Sequence, residues 1–228
     1  MLRVLRPANR TIFGLFREQF PRYRRAVTAS SAGSLAVLER RALADLLAEL
    51  GPDAPTCCAG WTTAHLAAHL VVRDRRPDAM PGYALEMLPG MARLGAWAHH
   101  LEDRARERTP YAELVEQLRS APAWTPLSWP GLERLNVPEF AIHHEDVRRA
   151  QPGWTPRTLP AGAQDQLWTP ATFYARRSAG RRGVVLRRSD ASGVEKRIGA
   201  GGRTVTGEPL ELLLWASGRR DVARVEVT

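Results

Sequence analysis

The chain has 228 residues, 44% of them hydrophobic and 25% charged, the proportions of an ordinary globular protein long enough to bury one large core or two small ones. No apolar run approaches the roughly 18–20 residues of a membrane-spanning helix. Cys57 and Cys58, the only cysteines, are adjacent; this excludes a disulfide framework and a zinc ribbon and points to a reducing cytoplasm.

The net charge of +9 is unevenly spread, since residues 1–30 carry seven arginines against the single acid Glu18 and so hold +6 of it. A nucleic-acid reader usually carries a basic stripe across its folded face, whereas here the excess lies in a terminal arm. Lys196 is the one lysine among 33 basic residues, a bias that fits GC-rich coding and makes the high pI partly a codon effect. Residues 1–33 are read as a disordered Arg-rich extension, with neither the long apolar stretch nor the cleavage site of a targeting peptide.

Helical spacing begins after Ser34, where Leu35, Leu38, Ala42, Leu46 and Leu50 recur every three or four residues and Leu43 and Leu47 widen the stripe; Gly51-Pro52 ends it. Gly60-Trp61-Thr62-Thr63 opens a second helix, with Thr62 or Thr63 as N-cap, which runs through Leu66, His69, Leu70 and Val72 to Arg76-Pro77. Residues 78–90, with Pro81-Gly82 and Pro89-Gly90, read as a loop. Met91 to Arg108 reads as a third helix, continued by Tyr111 to Arg119. A Pro- and Trp-rich connector leads to a fourth helix over Leu135 to Ala150. Beyond it, 160–179 is a further helix candidate. Strands are predicted at 183–188, 195–198, 203–205 and 222–227, with a turn over Asp190 to Gly193 and a helix from Thr206-Gly207-Glu208-Pro209 to Trp215. The expected architecture is therefore mainly α, four helices over 34–155 followed by a small α/β unit over 156–228.

Six histidines fall in three pairs, His65/His69, His99/His100 and His143/His144. In Pro138-Glu139-Phe140-Ala141-Ile142-His143 the carboxylate and the imidazole are four residues apart, which places them on one helix face about 6 Å apart at Cβ and suits a shared ion. A third donor must come from another helix. His69, set among Leu66, Leu70 and Val72, is the first candidate, and His65, one turn earlier, is its rival. His144 points about 100° away from His143. His99 and His100, beside Glu102 and Asp103, read as solvated. Asp146, three residues after His143, can orient a ligand or form a surface salt bridge with Arg149 or Arg73. Arg73, Arg75 and Arg148 can bind an acidic group. Trp61 reads as a packing residue, and Gly60 as a turn that needs backbone freedom.

The segments Gly60-Trp61-Thr62-Thr63-Ala64-His65-Leu66-Ala67-Ala68-His69-Leu70 and Glu139-Phe140-Ala141-Ile142-His143-His144-Glu145-Asp146-Val147, with Thr206-Gly207-Glu208-Pro209-Leu210-Glu211-Leu212-Leu213-Leu214-Trp215 and Gly218-Arg219, resemble the signature regions of the mycothiol-dependent maleylpyruvate isomerase family. The likeness spans about residues 34–228. More narrowly, it resembles a branch known mainly as metal-binding proteins. The resemblance implies a DinB-like four-helix bundle followed by a small C-terminal α/β domain. It also implies a divalent metal, usually zinc, on His69, Glu139 and His143. One departure from the pattern is Pro138, directly before Glu139; in the first turn it is harmless, whereas in a longer helix it would kink the ladder.

Two imidazoles and one carboxylate leave an open position on zinc, as in catalytic sites. The resemblance implies a low-molecular-weight thiol such as mycothiol, activated on the metal for isomerisation or transfer to a small electrophilic substrate. Two alternatives remain: a metal-binding module without turnover, and a nucleic-acid-associated protein acting through the basic arm. The last has no recognisable reading motif and would bind with steep salt dependence.

Overall fold

The computed structural model describes residues 34–86, 95–120, 122–125, 129, 133–190 and 193–228. Residues 1–33, expected as an extension, lie outside the described residues, as do 87–94 and 191–192 within the predicted loop, third helix and turn. Ser34–Thr228 forms one compact unit. Among the described residues it is mainly helical, with a small four-stranded sheet, and no helix is long and apolar enough to cross a membrane.

Helix α1 spans Leu35–Leu50 and ends at Gly51, where the predicted stop lies. Its buried face is rotated by one residue from the expected one. Leu35, Ala36, Leu43, Ala44 and Leu47 are buried together with Glu39 and Arg40, whereas Leu38, Ala42, Leu46 and Leu50 are only half-buried. A hydrophobic count cannot find this face, because two of its members are charges that meet partners inside. Helix α2, Thr63–Arg75, starts after Thr62, whose backbone N–H donates to His65 Nδ1 at 3.2 Å.

The predicted loop at 78–90 is corrected over its described part. A 3-10 turn over Pro77–Ala79 leads into helix α3, Met80–Glu86. Pro81 sits in the first turn of α3, where a missing N–H costs nothing. Gly82 lies against Ala98, where an added Cβ would stand 3.0 Å from the alanine methyl. The Pro-Gly pair thus marks a helix start and a close helix contact rather than a turn.

Helices α4 (Ala96–Arg108) and α5 (Tyr111–Arg119) both pack against α2, and α5 also packs against α1. After a 3-10 turn over Glu133–Asn136 comes α6, Val137–Arg149, with Pro138 in its first turn. The ladder beyond Pro138 is therefore undisturbed, and Glu139 and His143 stay one turn apart. Helix α6 packs along α1 and is buried nearly all round, with Phe140, Ala141, His144, Glu145, Asp146 and Val147 almost inaccessible.

Helix α7, Ala161–Ser178, packs against α8, Pro209–Ala216. The sheet has the order β2-β1-β3-β4: β1 (Val184–Arg188) is antiparallel to β2 (Glu195–Ile198) and parallel to β3 (Thr204–Gly207), and β3 is antiparallel to β4 (Glu226–Val227). The predicted final strand at 222–227 shrinks to its last two residues before the terminus, because Ala223 N–H turns back to the Arg219 carbonyl at 2.9 Å. One apolar core runs from Leu43, Leu66 and Phe140 through Leu167 to Val184, Leu212 and Leu214.

Candidate metal centre

The loop between α1 and α2 is tied down on both sides. Gly60 takes φ +77°, the left-handed conformation in which glycine is at ease. Thr56 Oγ1 donates to the Trp61 carbonyl at 2.9 Å, and Cys57 N–H donates to the Asp146 carbonyl of α6 at 2.9 Å. This pins the start of α2 against α6 and brings His69 opposite Glu139 and His143.

The three side chains meet. His69 Nε2 lies 3.2 Å and His143 Nε2 3.4 Å from the same Glu139 oxygen, Oε1; the two rings stand 5.4 Å apart, steeply inclined. One donor atom from each residue falls within a 4.8 Å group. Ligands of a tetrahedral zinc ion with bonds of about 2.0–2.1 Å stand roughly 3.3–3.4 Å apart, so both N–O separations match that spacing. The side chains of His69, His143 and Glu139 are 13%, 11% and 18% exposed.

The second nitrogen of each ring is held by another carboxylate. His69 Nδ1 is 2.7 Å from Glu102 Oε1, and His143 Nδ1 is 2.9 Å from Asp146 Oδ2. An ionised carboxylate only accepts hydrogen bonds, so both Nδ1 atoms carry protons. A neutral ring then presents a bare lone pair at Nε2 to the Glu139 oxygen, and three acceptors face one another. That arrangement needs either extra protons or a cation. In the metal-free chain it draws protons. Burial opposes charge on both rings, yet hydrogen bonds to Glu102 and Glu139 raise the His69 pKa above its ordinary value, and those with Asp146, Cys58 and Glu139 raise that of His143 well above it. Burial likewise favours a neutral Glu139, but the Arg73 charge and the two imidazoles hold its carboxyl well below the usual range.

Around this centre, Glu102 accepts from Tyr83 Oη at 2.6 Å and from His99 at 3.0 Å, besides His69. These bonds outweigh burial and keep its pKa below the ordinary value. Trp61 stacks at a tilt on His69, ring centroids 5.2 Å apart. Arg73 reaches Glu139 at 3.4 Å and Asn136 at 2.7 Å. Arg75 donates to the Gln117 and Ser120 carbonyls, and Arg148 to Glu145 and the Thr155 carbonyl. All three arginines proposed for an acidic ligand have internal partners. Asp146 is buried, and its cationic partner is Arg219, at 2.8 and 3.0 Å, rather than Arg149 or Arg73.

The rival histidines are placed elsewhere. His65 is used at the head of α2, and His144 turns to Glu39 of α1 at 2.8 Å. His99 bonds Glu102, though half of it is exposed. Sequence reasoning missed Glu102, Tyr83, Cys58 and Arg219. Glu102 alone had a usable signal, because Ala98, Leu101 and Glu102 are spaced as one inner face of α4 and are all buried. Cys58 Sγ stands 3.2 Å from Asp146 Oδ2 and 3.9 Å from His143 Nδ1. Its neighbour Cys57 is pushed up to about 11, by burial first and then by Asp146, and keeps its proton.

No family model matches the chain, and no curated protein matches it. Two solved structures do. A crystal structure of the mycothiol-dependent maleylpyruvate isomerase is 18% identical, with TM-score 0.48, covering 90% of this chain and 92% of its own. A histidine-to-alanine mutant of the mycothiol-dependent maleylpyruvate isomerase matches with the same identity and coverage and TM-score 0.49.

Proposed function

We propose that the chain is a divalent-metal protein whose ion, zinc by donor type, is held by His69 Nε2, His143 Nε2 and a Glu139 oxygen, with a small thiol and a small electrophile as its reactants. The observation that carries the metal reading is the meeting of three acceptor atoms at 3.2 and 3.4 Å, each imidazole being oriented from behind by a carboxylate. Buried acceptors without a donor between them are costly, and an ion relieves them. Glu102 and Asp146 fix the tautomer that leaves Nε2 free, the usual support for a histidine ligand. In this reading 34–155 is the DinB-like four-helix bundle and 156–228 the small α/β domain, which supplies Arg219 to hold Asp146.

Three protein donors leave room for one more, as in catalytic rather than closed structural sites. A bound divalent ion would supply Lewis-acid charge that favours the thiolate form of a thiol placed in that room. The thiol itself, mycothiol or a close analogue, and the choice between isomerisation and thiol transfer rest on the sequence resemblance. The protein's own contribution is positional. Trp61 and Tyr83 pack on the His69 ring, and Arg73 sets the charge on Glu139.

The test is elemental analysis of purified wild type beside the His69→Ala, His143→Ala double variant, followed by mycothiol consumption against maleylpyruvate and chlorinated electrophiles. One ion per chain in wild type and none in the variant is expected. Equal metal content in both removes the site. Metal without thiol consumption leaves a binding module.

A further inference from the structure

We propose that the chain has a second position for a soft divalent ion, formed by Cys58 Sγ, His143 Nδ1 and Asp146 Oδ2, on the edge of the His143 ring opposite to Glu139. It goes beyond the function proposed above, shares the ligand His143 with it and draws on Asp146, which there holds the His143 ring.

The three donors are of three kinds and come from two elements, the loop before α2 and helix α6. Asp146 Oδ2 is 3.2 Å from the sulfur and 2.9 Å from Nδ1, and the sulfur is 3.9 Å from Nδ1; all lie within a 4.8 Å group. Around an ion with sulfur at about 2.3 Å and nitrogen or oxygen at about 2.0–2.1 Å, tetrahedral neighbours of the sulfur stand roughly 3.5–3.6 Å away. The observed sulfur distances bracket that value. The sulfur is not carried on a free loop, because the Cys57 N–H bond to the Asp146 carbonyl holds it on α6. It is also reachable. Cys58 lines a cleft of ≈ 350 Å³ that runs between this loop and the turn at Ser217 to Val222.

Arg219 now supplies the positive charge at this place. Its guanidinium donates to both Asp146 oxygens and stands 3.7 Å from the sulfur. An ion must loosen Arg219 from Asp146 Oδ2, leaving it on Oδ1, so hard cations gain too little to enter. Ions that bond thiolate strongly, cadmium above all, repay the exchange through sulfur. Filling the position releases the Cys58 thiol proton and the His143 Nδ1 proton to solvent, so that with both ions bound the ring bridges them as an imidazolate. It also takes Asp146 away from His143 and so changes the hold of the Nε2 side on its own ion.

Cadmium titration of the metal-free full-length protein, followed by the ultraviolet cadmium–thiolate charge-transfer band, tests this. Wild type and Cys57→Ser are expected to develop a band that saturates at one sulfur-bound ion per chain. Cys58→Ser loses the band, and His69→Ala keeps it while losing the sulfur-free ion. No band in wild type, or a band that persists in Cys58→Ser, overturns the proposal. If His69→Ala loses no ion but the band still depends on Cys58, the Nε2 centre fails and the second position stands.

Discussion

Replacing Glu102 by glutamine separates the charge behind His69 from the hydrogen bond that orients it. Oε1 receives both His69 Nδ1 at 2.7 Å and Tyr83 Oη at 2.6 Å, while Oε2 receives His99 at 3.0 Å. A glutamine can keep its carbonyl toward His69 and Tyr83 and turn its NH₂ toward His99, so packing and tautomer survive and only the charge is lost. Charge-assisted hydrogen bonds are about twice as strong as neutral ones, and loss of such supporting partners costs about 10–100-fold in metal affinity. Glu102→Gln should therefore fall near the low end, roughly tenfold or about 1.4 kcal/mol. Glu102→Leu, which removes the acceptor and frees the His69 ring to turn, should approach about 100-fold. Competition against a chromophoric chelator measures both, with thermal unfolding of the metal-free proteins as a control for folding. Equal affinity in wild type and both variants would show that His69 does not bind through Nε2.

Four further outcomes follow from the same geometry. In the metal-free protein His69 and His143 have pKa values raised above 6.5, so their stabilising contribution is complete below that pH and is lost as pH rises through the raised values; bound metal displaces those protons. Thermal scans from pH 6 to 9 should thus show a widening gap between metal-bound and metal-free protein. Glu39 and Glu145 are lowered to about 2, burial being outweighed by Arg157 and its neighbours, so their contribution is full above 4.5 and disappears as pH falls toward 2; acid unfolding of Glu39→Gln should be correspondingly shallower. Glu39→Ala leaves Arg157 buried without two of its bonds and should cost about 3–5 kcal/mol in urea unfolding, part of it recovered by Arg157→Met in the same chain. Pro138→Ala should change neither metal content nor, beyond about 1 kcal/mol, stability, because Pro138 occupies the first turn of α6.

What was legible in the sequence followed local rules. Glu139 and His143 are one turn apart, so their shared face could be read from spacing alone. Whether Pro138 spares that face stays open in the sequence, because the helix is expected from Leu135; the structure starts it at Val137 with Pro138 in the first turn. His69 is the first candidate on the apolar face of α2, with His65 one turn earlier as its open rival, and the resemblance singles out His69. The rest depended on distant chain segments. Nothing local in Gly218-Arg219 says that this arginine reaches back to Asp146, or that Cys58 lies under the same carboxylate. The face of α1 was misjudged for a related reason. Glu39 and Arg40 look solvated until His144, Arg157 and Asp74 are seen around them. At 77–86, Pro-Gly chemistry that ordinarily makes a turn serves a helix start and a close contact with Ala98.

Helix α6 shows why these misreadings share a cause. Its sequence is too polar to be taken for a central helix, yet it is buried on almost every side, and each polar residue is matched by a different neighbour. His144 meets Glu39 of α1, and Glu145 meets Arg157 and Arg148. Arg149 meets Glu211 of α8 at 2.6 and 2.9 Å and the Val222 carbonyl at 2.6 Å. A one-residue slip of α6 would break the pairs that leave the helix, to Glu39, Arg157 and Glu211, and would leave Glu145 and Arg149 buried without those partners. The network therefore fixes the register of the helix that carries Glu139, His143 and Asp146, to a degree that apolar packing, which tolerates volume-conserving exchange, would not. The same tight register keeps the Nε2 and Nδ1 edges of His143 directed at two different groups of donors.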